Sequence, residues 1–180
     1  MLLYRVFPYL PTASTGEPGH PLYVHRAQGA GRFDNPAHYL AWYMAAEAVS
    51  AVGVSFAHLS TWRDEMFEFP LIAGSRKALG ICDLPDDLPY VDLDDPLRLV
   101  DLGVRPSQVI ERHRPYTQAL ALRIYREGTY NGIRWWSFHR PQWRVYCLWE
   151  IDQSIAQIDP LTMDHIAVAN AARTLAKAVA

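Results

Sequence analysis

Arg5 lies in an apolar run, residues 2–7, and Arg32 lies in a loop, residues 29–36, that carries two glycines. A guanidinium can grip a phosphate bidentately, more firmly than an ammonium can, and a glycine-bearing loop lets backbone approach a ligand. Tyr43 closes the run 40–45 with a ring that could stack on a planar base or a sugar, and Ser137 follows Trp135-Trp136 with a hydroxyl that could hold a carboxylate or a ribose hydroxyl. His139 and Arg140 come next and could also reach phosphate. Each of these pieces is weak by itself. Each keeps a plainer reading: Arg5 as a strand arginine in solvent or paired with an acid, Tyr43 as core with its hydroxyl satisfied, Ser137 as a turn serine bonded to its own backbone.

Several better-known site patterns are absent. Gly29-Ala30-Gly31 is no dinucleotide fingerprint, because Asp34 stands where the third glycine belongs. No phosphate-cradling Walker loop or HExxH zinc helix occurs, and the seven histidines show no ligand spacing, so no metal and no resident cofactor is expected. Cys82 and Cys147 lie far apart and read as buried thiols of a reducing compartment, which places the protein in the cytoplasm.

The elements that must position these residues follow from periodicity. Runs at 2–7, 22–25, 40–45, 78–84, 90–93, 133–136 and 145–149 read as strands. Val49, Val52, Phe56 and Leu59 recur at helical spacing, and a short helix starts at Asp95 with Asp94 as its N-cap. A helix over 116–127 is opened by Pro115 and closed by Gly128, and 161–179 reads as a closing amphipathic helix whose Ala-rich face packs on the domain's own sheet. The expected class is α+β, a mixed central sheet flanked by helices, in one domain over 1–180. Residues 39–57 carry a single charge, Glu47, and approach bilayer length, but their alanine, glycine and serine content favours a buried strand and helix. With 17 basic and 19 acidic residues and no like-charge block, neither nucleic acid nor a membrane surface is an expected partner.

The order of the pieces adds a resemblance. Tyr4-Arg5, then Gly31-Arg32-Phe33-Asp34-Asn35-Pro36, then Tyr43-Met44-Ala45, then Gly132-Ile133-Arg134-Trp135-Trp136-Ser137, resembles the RES domain family from Tyr4 to about Trp149. The resemblance implies a fold similar to ADP-ribosyltransferase toxins and cleavage of the nicotinamide–ribose bond of NAD+, with inorganic phosphate a co-substrate in some members and protein an acceptor in others. It also implies the toxin role in a toxin–antitoxin pair, with a helix-turn-helix antitoxin as partner, and leaves homodimerisation open. Arg5, Arg32, Tyr43 and Ser137 are then the NAD+-binding positions, with Tyr43 and Ser137 also in the catalytic set.

One position departs from that pattern. The related sequences read Ala-Val-Gly-Glu-Ser/Thr-Phe where this chain reads Ala51-Val52-Gly53-Val54-Ser55-Phe56, so Val54 occupies the position of the family's catalytic glutamate. A carboxylate there would stabilise the oxocarbenium-like charge that develops as an N-glycosidic bond breaks. Glu47 stands about 10 Å away along a helix and reads instead as charge near the helix N-terminus. A single change inside a matching motif favours an inactivated toxin over a long-silent relative, in which Arg5, Arg32, Tyr43 and Ser137 should have drifted too. A non-catalytic nucleotide- or partner-binding module and an ADP-ribosyltransferase acting on protein are the alternatives.

Overall fold

The computed structural model describes residues 1–180. In chain order the elements are β1 (Leu2–Tyr9), β2 (Trp42–Ala45), α1 (Ala48–Phe56), β3 (Thr61–Trp62), a 3₁₀ turn (Asp64–Phe67), β4 (Arg76–Asp83), β5 (Val91–Asp92), α2 (Pro96–Leu102), α3 (Pro106–Val109), α4 (Arg114–Arg126), β6 (Gly132–Trp136), β7 (Arg144–Leu148), β8 (Ser154–Pro160), α5 (Ile166–Thr174) and β9 (Ala178–Val179). The class is α+β, a mixed sheet with flanking helices. Two compact units divide the chain. The first comprises Met1–Tyr23, Ala45–Asp83 and Gln153–Ala180; the second comprises Val24–Met44 and Leu84–Asp152.

In the first unit β1 pairs antiparallel with β4 along its whole length, Arg5 facing Gly80, and Tyr4 pairs with Ala45 at the end of β2. β8 adds antiparallel to the far side of β4. Alternation sends Leu3, Arg5 and Phe7 to one face, and Leu3 and Phe7 are buried there, so Arg5 shares a face with core. Gly80 is required beneath them, because a Cβ would stand 2.8 Å from the Phe7 ring. α1 packs on β1 and α5, burying Val52 and Phe56 against Ala167, Val168, Ala171 and Ala172. Phe56 meets Trp62 and Phe67 edge to face at 6.0 and 5.6 Å, each pair worth about 0.5–1.5 kcal/mol beyond its burial.

In the second unit the strand order is β5-β6-β7-β2, with β5 parallel and β7 antiparallel to β6. Asp92 on β5 receives Arg134 of β6 through two hydrogen bonds, and Asp94 pairs with Arg144, so the short parallel strand is fastened by charge as well as backbone. α4 buries Thr117, Leu120, Ala121 and Ile124, one stripe at helical spacing, and Gly128 ends it at φ 67°, the left-handed conformation glycine adopts freely.

Three expectations are corrected. Residues 22–25 form no strand; the carbonyls of Tyr23 and of the preceding Pro21 accept from Arg5 instead of joining a ladder. The closing helix is Ile166–Thr174, preceded by β8 and followed by β9: the His165 ring accepts the Ala167 N–H as an N-cap, and Ala176 at φ 50° turns the chain out of the helix. The short helix α2 is capped by Asp95, whose carboxylate accepts the Leu97 N–H at 2.9 Å, one residue later than expected. No helix is long and apolar enough to cross a membrane.

Candidate functional site

Loop 29–35 of the second unit is organised by one carboxylate. Asp34 is buried; its Oδ2 accepts the N–H groups of Gly29 (2.8 Å) and Gly31 (2.7 Å), and its Oδ1 accepts the Tyr43 hydroxyl (2.8 Å). That hydroxyl also accepts the Phe33 N–H at 2.9 Å. Burial first, then the neighbouring Cys147 and Asp34, push the phenol well above its ordinary range, so it stays protonated at neutral pH and serves as a fixed dipole. No side chain fits at Gly31, where a Cβ would stand 2.4 Å from Asp34 Oδ1 and 2.6 Å from the Tyr43 hydroxyl. α4 clamps the loop from outside. Thr117 Oγ1 donates to Arg32 O at 2.5 Å, Gln118 Nε2 donates to the carbonyls of Gly29 and Gly31 at 2.9 Å each, and Asn35 Nδ2 donates to Gln118 O at 3.0 Å.

Arg32 projects from this clamped loop. Its guanidinium donates to the carbonyls of Val109 (2.8 Å), Ile110 (3.3 Å) and Glu111 (2.6 Å), which closes the C-terminal end of α3, where exposed carbonyl dipoles favour a cation. Burial and, next, the Arg114 charge lower its pKa to about 10, still far enough above neutrality to leave it charged. Arg114 opens α4, and its Nη1 is buried with no hydrogen-bond partner. Two cations thus repel each other beside an unmet buried donor, an arrangement that an anion would relieve.

Ser137 ends β6 in the same unit. It is buried; its N–H donates to Trp143 O at 2.9 Å, and its Oγ accepts the His139 N–H at 3.2 Å, closing the connection to β7. The hydroxyl's own proton remains available to an acceptor. Beneath this end of the strand, Trp135 packs edge to face on Phe33 at 4.8 Å and on Tyr43 at 6.4 Å.

Arg5 and Val54 lie in the first unit. The half-buried Arg5 guanidinium donates to Pro21 O (3.3 Å) and Tyr23 O (3.1 Å), and loss of hydration lowers its pKa to about 10. It therefore tethers a loop by its carbonyls, a role neither of its two sequence readings contained. Val54 is 38% exposed on α1, while Ala51, Val52, Gly53 and Phe56 around it are buried. Glu47 is the exposed N-cap of that helix, where the Ser50 hydroxyl accepts its N–H and donates to its carbonyl.

Arg32 and Tyr43 are thus joined through one loop, and Ser137 stands in the same unit. Sequence reasoning missed Asp34 as the loop's organiser, although an Asp three residues after a glycine and two before a proline carries the turn chemistry that could have signalled it. Arg114, Thr117 and Gln118 gave no signal, since their role depends on where α4 docks.

The RES domain family model matches residues 2–168, and the chain belongs to that family. Among solved structures, a chain of the M. tuberculosis MbcT–MbcA toxin–antitoxin complex is similar at a TM-score of 0.65 and 17% identity, covering 98% of this chain and 89% of that one. That likeness is one of fold. No curated protein matches the chain.

Proposed function

We propose that this chain is the toxin partner of a toxin–antitoxin pair, built to bind NAD+ for cleavage of its nicotinamide–ribose bond, and that Val54 leaves it without the carboxylate the cleavage needs. The observation that carries this reading is the exposed valine on α1 at the position where RES sequences keep glutamate. At 38% exposure an aliphatic side chain there gains only part of what a core position would give, and a carboxylate keeps access to water. Loss of one electrostatic stabiliser of the developing positive charge costs on the order of 10²–10³ in rate.

The remaining positions suit the two phosphates and two riboses of the dinucleotide. Arg32 and Arg114 present paired positive charge with an unmet donor, matching a pyrophosphate. Arg5 remains charged at neutral pH while it holds the carbonyls of Pro21 and Tyr23. Ser137 offers its proton to a ribose hydroxyl, and Tyr43 works as a fixed dipole and ring edge. Inorganic phosphate or water would accept the ADP-ribosyl group, with a helix-turn-helix antitoxin covering the site in the cytoplasm.

Titration calorimetry on the chain as it stands, followed by assay for free nicotinamide, tests this. Saturable NAD+ binding without nicotinamide release, weakened at least about tenfold by Arg114→Met, is expected. Absence of binding to the folded native chain would overturn the nucleotide reading.

A further inference from the structure

The first unit contains a second place with chemical capability. A cavity of about 530 Å³ opens beside the end of α1, walled by Val6, Phe56, Leu59, Met66 and Phe69. Its size falls in the range of small-molecule pockets. Lys77 of β4 enters it, with Nζ 4.3 Å from the centre of the Phe69 ring and no ion pair to Glu65 or Glu68, which also line the space. Basic residues number 17 in the chain, yet only Lys77 and Lys177 are lysines. Lys177 is spent on structure: its Nζ donates to the carbonyls of Ala57 and Leu59 at 2.7 Å each, closing the C-terminal end of α1.

We propose that this cavity is a covalent binding site for a small neutral aldehyde, an aromatic one by preference, captured by Lys77 as an imine. A partly buried lysine that lines such a cavity without an ion pair is one whose amine gives up its proton more readily and becomes nucleophilic. Burial, and then the Arg5 charge, lower the Lys77 pKa to about 8, outweighing the preference of the Phe69 ring for the cation. Roughly a quarter of the amine is then neutral at pH 7.5, against about 0.1% for an unperturbed lysine.

The step balances without a further reagent. The Nζ lone pair bonds to the carbonyl carbon, the carbonyl π pair moves to oxygen, and that oxygen takes a proton while nitrogen gives one up. The carbinolamine then loses water to leave C=N, so amine and aldehyde give imine and water. Glu65, Glu68 and His58, all on the lining, are the groups able to ferry those protons. The two carboxylates also select against an anionic aldehyde, and the aromatic and aliphatic walls favour a ring.

The test uses the native chain at pH 7.5 with benzaldehyde or glyoxylate, cyanoborohydride trapping and peptide mapping. With benzaldehyde, Lys77 should be labelled at least about tenfold more than Lys177, whose Nζ is held by the carbonyls of Ala57 and Leu59. Relative to the Met1 amine, Lys77 should prefer benzaldehyde over glyoxylate by a similar factor, and Lys77→Arg should abolish the pocket adduct while the Met1 adduct persists. Labelling of Lys77 no greater than that of Lys177, or with the same aldehyde preference as the Met1 amine, would overturn the proposal. Both readings come from the native chain and stand even if the variant does not fold.

Discussion

A valine exposed on a helix is a poor local choice: β-branching restricts its rotamer and its methyl groups meet water. Val54 sits in this condition between the buried Gly53 and the half-buried Ser55. Val54→Glu therefore changes stability by no more than about 0.5 kcal/mol in denaturant unfolding, as expected of an exposed position away from core and caps. Tyr43→Phe behaves in the opposite way. It removes the hydroxyl that serves both Asp34 and the Phe33 N–H, and the buried groups left behind cost about 1–3 kcal/mol. Because the phenol is held protonated, the loss should be the same from pH 6 to pH 9; a loss that shrinks toward pH 9 would mean the hydroxyl ionises.

At the scale of elements, loop 29–35 and α4 behave as one piece. Gly31→Ala drives a methyl group into Asp34 and Tyr43, so the loop must move off the α4 clamp. The expected result is destabilisation by about 1–3 kcal/mol together with faster amide exchange at Gly29 and Gly31, whose N–H groups Asp34 holds. Much of this scale was legible in the sequence. β1, α4, β6 and β7 follow from apolar runs and a period-3.6 stripe bounded by glycine and proline. β8 was not legible, because an exposed strand with partial burial only at Ile155, Ile158 and Asp159 has no clean apolar period, and α5 was drawn too long at both ends, over 161–165 and 175–179. The two site arginines were named in sequence, yet their partners were not, since Arg5 and Arg32 donate to main-chain carbonyls that any residue type can supply.

For the whole molecule, a net charge of −2 with no basic block leaves small anions and proteins as the partners to expect rather than polymers of phosphate. The chain belongs to the RES family over residues 2–168, and under the proposed reading Val54 is the feature that would separate binding from turnover. Expression of the Val54→Glu chain should arrest growth, and co-expression of an antitoxin that binds the chain should relieve it, whereas the native chain should be harmless alone. Growth arrest by the native chain at equal abundance would point to a toxicity that needs no carboxylate at this position.

The most direct measurement is NAD+ consumption by purified Val54→Glu beside the native chain, with and without inorganic phosphate, followed by nicotinamide release. The account predicts release by the variant at least about 10²-fold faster than by the native chain. A folded variant that leaves NAD+ intact under both conditions would contradict it.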